Sequence, residues 1–136
     1  MPRFYFLDSS ALVKRYHEER GTGAVDGIVG GAAPVVVSSL AILEVTAALT
    51  RKKNEGRISD DLYSGILGEV TRDFLERFVV LSLDDSLISG AIGLVTERGL
   101  RTLDSLQLAA ALQAWQFAEE LVFVSADRRL NEIAAP

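Results

Sequence analysis

The apolar run Phe4-Tyr5-Phe6-Leu7 stops at Asp8 and gives way at once to helical spacing, with Leu12, Val13 and Tyr16 on one side of the segment that follows. A continuous apolar run of this kind reads as a strand buried on both faces, which requires a sheet covered by helices above and below. Asp8 therefore sits at a strand's carboxyl end, the edge where open α/β sheets bind ligands. Taken singly, it reads equally well as the N-cap of the next helix.

The alternation continues along the chain. Ser9 to Arg20 reads as a short helix stopped by Gly21, Thr22 to Val29 as a second helix, and Val35-Val36-Val37 as a strand reached through Gly30-Gly31-Ala32-Ala33-Pro34. Leu40 to Glu55 is helical, capped by Ser39 and ended by Gly56. Ile58 to Arg77 follows as a helix with Leu62, Ile66 and Val70 inward, then Phe78 to Leu81 as a strand and Asp84 to Arg98 as a helix closed by Gly99. Arg101 to Leu112 carries almost no charge beyond its first turn and reads as a helix buried nearly all round, with Asp104 as its acid. Leu121-Val122-Phe123-Val124 repeats the opening design, running into Ser125-Ala126-Asp127 and a terminal helix through Ile133. This pattern predicts an α/β chain with a doubly wound parallel sheet, folded as one domain over its 136 residues.

Composition removes several classes of function. With no cysteine, disulfides and thiolate metal sites are excluded and nothing calls for an oxidising compartment, so a cytoplasmic protein is expected. The opening apolar run is too short for a signal peptide, and the least charged interval, Gly27 to Leu43, is broken by glycines, Pro34 and two serines, so no membrane association is expected. A net charge of −5 opposes indiscriminate polyanion binding, but not a nuclease whose acidic site is neutralised by divalent cations. The hydrophobic content of 49% leaves room for an apolar surface that meets a partner or a second copy.

Glu44 is the acid hardest to explain as ordinary surface. Its helical neighbours are Leu40, Ala41 and Ala48, and a charged, unpaired carboxylate among them costs on the order of several kcal/mol. The bland alternative is a salt bridge to an arginine. In a doubly wound fold, Asp8 and Asp127 share one sheet edge, and the helices bearing Glu44 and Asp104 can bring their acids to it. Carboxylates gathered in one cleft must protonate or hold cations, and oxygen-only ligands select Mg²⁺, with Mn²⁺ as a substitute. Phosphodiester hydrolysis is the chemistry such ions serve.

Other catalytic templates fit less well. His17, the lone histidine, lies amid Glu18, Glu19 and Arg20 and reads as a surface residue on a solvated helix end. The serines lack a general base and read as caps or supporting hydroxyls, and no phosphate-cradling GxxxxGK is present. Basic residues form local groups at Lys14-Arg15, Arg51-Lys52-Lys53 with Arg57, Arg98 with Arg101, and Arg128-Arg129, placed to meet phosphates or simply solvated. Trp115, Phe117, Tyr63 and Phe74 read as core or interface rather than platforms for bases.

Four segments together resemble the PIN-domain ribonucleases, in particular the VapC toxins of toxin–antitoxin pairs: Phe6 to Lys14, Ser38 to Val45, Arg101 to Ala109 and Val124 to Asp127. The resemblance implies a single PIN-like domain over residues 1–136, an α/β/α sandwich with a central parallel sheet of four or five strands. It implies Asp8, Glu44, Asp104 and Asp127 as catalytic and Mg²⁺-binding residues, with Ser9 and Ser125 as supporting or substrate-contacting hydroxyls. It further implies an endoribonuclease acting through a metal-activated water, a homodimer, and a small antitoxin that buries the cleft and inserts a basic side chain. Two rival readings are a receiver-like signalling module and an inactive PIN-like binding protein. The first needs a lysine after the last strand, where this chain has Ser125-Ala126-Asp127-Arg128.

Overall fold

The structure, a computed structural model, describes residues 3–135; residues 1, 2 and 136 of the expected domain lie outside them. Four strands form one sheet: β1 (Arg3–Leu7), β2 (Val35–Ser38), β3 (Val79–Leu81) and β4 (Glu120–Val124). Their order is β3-β2-β1-β4 and every pairing is parallel. The helices are α1 (Ser9–Leu12), α2 (Thr22–Val29), α3 (Ser39–Asn54), α4 (Asp60–Glu76), α5 (Asp85–Arg98), α6 (Thr102–Phe117) and α7 (Arg128–Ala134). The α/β/α sandwich with a parallel sheet is as expected, at the lower of the two strand counts.

Period-two alternation along the central strands divides the core. Leu7, Val35 and Val37 face a cluster built with α1 to α4, around Leu12, Val25, Val45, Leu49 and Val70, all buried. Phe6 and Val36 face the opposite cluster, built from Leu87 and Ala91 of α5, the alanine-rich face of α6 and Leu130 of α7. Phe6 stacks on Phe123 of β4 at 6.0 Å between ring centroids. From β1 the chain proceeds through β2 to β3 on one side, then crosses back to place β4 on β1's other side. The carboxyl end between β1 and β4 is thus the switch point where such sheets open a crevice.

Several local expectations are corrected. The segment after Asp8 is not one helix to Arg20: α1 gives way to a 3-10 turn at Val13–Arg15, and the chain then folds back on Lys14. Ser38, not Ser39, caps α3, its hydroxyl accepting from the Leu40 N–H at 3.1 Å. Leu62 is 63% exposed, while Ile66 and Val70 pack inward as expected. Helix α6 runs five residues past Leu112 to Phe117 and is not buried all round, since Leu103 and Leu112 are exposed. Trp115 and Phe117, read from sequence as core or interface, are more than half exposed, which rules out the core. No helix among the described residues is long and apolar enough to cross a membrane.

The helix α4, which offers no chemistry as sequence, holds a buried acid. Asp73 accepts from Tyr16 Oη at 2.7 Å, Arg15 Nε at 2.8 Å and Arg77 Nε at 3.2 Å, and Arg15 also pairs with Asp26 at 3.5 Å. Despite the desolvation that opposes it, the Arg15 and Tyr16 hydrogen bonds hold the Asp73 carboxyl below its ordinary range, and burial beside it pushes the Tyr16 hydroxyl up. This network ties the turn after α1 to α2 and α4.

Candidate active site

The register of β1 against β4 builds the heart of the site. Leu7 lies opposite Val124, so Asp8 and Ser125 leave the sheet side by side, and the Asp8 N–H donates to the Val124 carbonyl at 3.1 Å. Asp8 is 4% exposed and both of its carboxylate oxygens accept hydrogen bonds. Oδ1 accepts from the Ser10 hydroxyl at 2.7 Å and from the Ala11 N–H at 3.0 Å, while Oδ2 accepts from the Ser125 hydroxyl. Asp8 is therefore an N-cap, as one reading of it from sequence has it, and it also lines the cavity at the carboxyl edge of the sheet.

Ser10, which the sequence reads with the other serines as a cap or supporting hydroxyl without singling it out, is the one that bridges the strand ends. It bonds Asp8, receives the Ala126 N–H at 2.9 Å and lies 3.3 Å from Ser125 Oγ, knitting the two strand ends together. Ser9 makes no such bridge but lines the cavity. Ser125 also accepts from the Asp127 N–H at 3.0 Å, and Asp127 caps α7 by accepting from the Leu130 N–H at 3.0 Å. The turn between β4 and α7 is thereby fixed.

Glu44 comes from α3 and Asp104 from the first turn of α6, helices that cover opposite faces of the sheet. They meet past the sheet edge, where Gln107 Nε2 donates to Glu44 Oε1 at 2.7 Å. The half-buried Glu44 is thus held by an amide rather than by an arginine. Gln107 is 2% exposed, and its Oε1 is buried without a hydrogen-bond partner beside the same cavity. The i, i+3 spacing of Asp104 and Gln107 on α6 would place both on one face, the one sequence signal for its role.

Asp8, Glu44, Asp104 and Asp127 line a single open cavity of about 570 Å³. Burial pushes the Asp8 carboxyl above its ordinary range, with the charge of Asp104 adding to it against the three hydrogen bonds Asp8 accepts. Asp104 is raised by desolvation and by Asp127's charge, against the pull of Arg101 and Arg129. Both carboxyls are raised chiefly by burial, with a neighbouring carboxylate adding to it, and a cation would relieve both effects. Among the described residues no three acids are gathered tightly enough to enclose an ion by themselves. The oxygen-only set nevertheless suits Mg²⁺ or Mn²⁺, because Mg²⁺ keeps several waters and needs only one or two carboxylates.

The rest of the wall carries charges of both signs. Lys14, Arg51, Lys52 and Arg57 line the cavity together with Glu19 and Glu55. Other cations in the same sequence groups turn elsewhere: Arg15 to Asp73, Lys53 to Asp60 and the Tyr63 ring, Arg128 to Glu132. His17 is half-buried with Nδ1 unpartnered, not the solvated surface residue that its charged neighbours suggest.

The sequence matches the PIN domain family over residues 5–136. Among solved structures, it is similar to PAE2754 from Pyrobaculum aerophilum, with a TM-score of 0.70, 26% identity, and 97% of this chain and 86% of that chain covered. It shares its fold with VapBC2 from Rickettsia felis, solved bound to a DNA fragment from its promoter, at a TM-score of 0.58 and 13% identity, with 91% of this chain and 99% of that chain covered. No curated protein sequence matches it. With the family match running through all four strands and the whole acidic cavity, the chain belongs to the PIN-domain family.

Proposed function

We propose that this chain is a Mg²⁺-dependent endoribonuclease and the toxin of a toxin–antitoxin pair. The observation that carries the nuclease reading is the convergence of Asp8, Glu44, Asp104 and Asp127 on one cavity at the sheet's switch point, with Asp8 and Asp104 both raised. PIN domains are generally nucleases, and the VapBC2 neighbour supplies the toxin–antitoxin context.

Asp8, Asp104, Asp127 and, directly or through water, Glu44 would hold the ion. A bound divalent cation would polarise the phosphodiester, lower the pKa of the attacking water and balance charge on the leaving oxygen. The chain's own contribution is positioning. Ser10, Ser125 and the Ala11 N–H lock both oxygens of Asp8, Gln107 aims Glu44, and Ser9 is left on the wall to meet substrate. Lys14, Arg51 and Lys52 offer charge to the phosphates on either side of the cleaved bond.

A small antitoxin would close this cavity, and a second copy of the chain would cover apolar surface on α5 and α6. There Ile88, Ile92, Val95 and Leu103 are exposed, and an apolar furrow runs between the two helices. The test is incubation of the purified protein with total RNA, with Mg²⁺ or with EDTA, followed by mapping of new ends. Cuts at defined sites that vanish with EDTA and in Asp8→Asn are expected. Magnesium-independent cutting, or none by the wild type, would reject the reading.

A further inference from the structure

Towards the carboxyl end of α3, two ammonium groups share one carboxylate. Lys14 Nζ donates to Glu19 Oε1 at 2.9 Å, and Lys52 Nζ stands 3.8 Å from Glu19 Oε2, close enough to attract but beyond hydrogen-bond reach. The loop carrying Glu19 is tied around Lys14. Lys14 Nζ donates to the Arg20 carbonyl at 2.7 Å, Thr22 Oγ1 donates to the Lys14 carbonyl at 2.8 Å, and the Glu19 N–H donates to Thr22 Oγ1 at 2.9 Å. Gly21 closes the loop at φ +97°, where a Cβ would lie 3.2 Å from Lys14 Cδ.

Side chains of Lys14 and Lys52 are only 18% and 15% exposed, yet both line the cavity with Glu19 rather than packing into the core. One carboxylate between two ammonium groups leaves a net positive charge on this part of the wall, and the Lys52 Nζ, beyond hydrogen-bond reach of Glu19, keeps its donors for another acceptor. Carboxylate and phosphate oxygens are the same kind of acceptor to an ammonium group, so a wall that holds one suits the other. Helical rise puts Lys52 about 12 Å along α3 from Glu44. A phosphate there is a neighbour of the one under attack, not the same group. Arg51 lines the cavity beside it, while Arg57 is paired with Glu55 at 3.9 Å.

We propose that Lys14 and Lys52 form a subsite for a backbone phosphate flanking the cleaved bond, and that Glu19 occupies it as an internal stand-in which the RNA strand displaces. The identity of the strand rests on the nuclease reading above. The Lys14 hydrogen bond, against partial desolvation, holds the Glu19 carboxyl below its ordinary range, so Glu19 is charged and competes with the strand at neutral pH. Binding then exchanges one anion for another, and Glu19 sets how tightly the product is retained.

Fluorescence anisotropy of the full chain with a short labelled single-stranded RNA in EDTA, over a salt series, tests this. Glu19→Gln keeps the shape of the side chain and removes the competing charge; it is expected to tighten binding about 3- to 10-fold. Lys52→Gln is expected to weaken binding and lower the log–log salt slope by about one. Unchanged or weaker binding by a folded Glu19→Gln overturns the subsite. Should that variant unfold, an unchanged slope in Lys52→Gln overturns it instead. The expected responses in a protein that cuts no RNA would support the subsite and contradict the nuclease reading, while Mg²⁺-dependent cutting with no response to either variant would do the reverse.

Discussion

Asp8 shows how one side chain can serve the fold and burden it at once. Its cap to the Ala11 N–H favours α1, but its burial and Asp104's charge make the ionised form costly. Asp8→Asn keeps an oxygen for the cap and removes the charge. It should raise the melting temperature of the metal-free protein by a few degrees, about 1 kcal/mol for a domain of this size, while abolishing cleavage. Because Asp8 and Asp104 are raised in the folded state, their contribution to stability is fully present below the ordinary carboxylate range and is lost as pH rises through their raised values. Asp73, held low, contributes above that range and fades as pH falls through its depressed value. Urea unfolding in EDTA from about pH 4 to 7 should therefore show a smaller loss with rising pH in Asp8→Asn than in the wild type. Gln107→Leu, which leaves Glu44 without its donor, should cut the cleavage rate on the order of tenfold; an unchanged rate would remove Gln107 from the mechanism.

At the scale of elements, the site depends on how short segments are stopped and anchored. Alpha-helical geometry ends at Leu12 and a 3-10 turn follows, which leaves Lys14 on the cavity wall and sends Arg15 and Tyr16 to Asp73 on α4. Asp73→Ala would strand a half-buried Arg15 and a buried Tyr16 hydroxyl, and is expected to destabilise the protein by about 3 kcal/mol in urea unfolding. A loss below 0.5 kcal/mol, roughly the level of an ordinary surface change, would mean that α4 is docked by its apolar face alone. This anchor was illegible in the sequence because its partners are 57 and 58 residues apart and α4's apolar stripe accounts for the helix without them. Ser10 could not be singled out from Ser9 for a related reason: the two are equivalent as letters, and only the β1 to β4 register decides which one reaches Asp8 and Ser125.

For the whole molecule, the sequence carried the architecture, and with it the strand-end placement of Asp8 and Asp127, because both follow from periodicity, whereas Glu44 and Asp104 lie on helices. Apolar runs bounded by an acid define strands buried on two faces, and a parallel sheet brings their carboxyl ends to one edge. Such patterns could not tell which apolar residues lie outside: Leu62, Leu103, Leu112 and Trp115 sit at helical spacings yet are exposed, because spacing marks a face without saying what covers it. They also could not show that α3 and α6, from opposite layers, meet through Glu44 and Gln107. If Asp8, Glu44, Asp104 and Asp127, from four separate segments, together serve a divalent-cation site, titration calorimetry with Mn²⁺ reads it without any knowledge of the RNA target. Saturable binding to the wild type is expected, lost in Asp8→Asn and weakened in Asp104→Asn. Equal heats in the wild type and Asp8→Asn, or no uptake by the folded wild type, would contradict it.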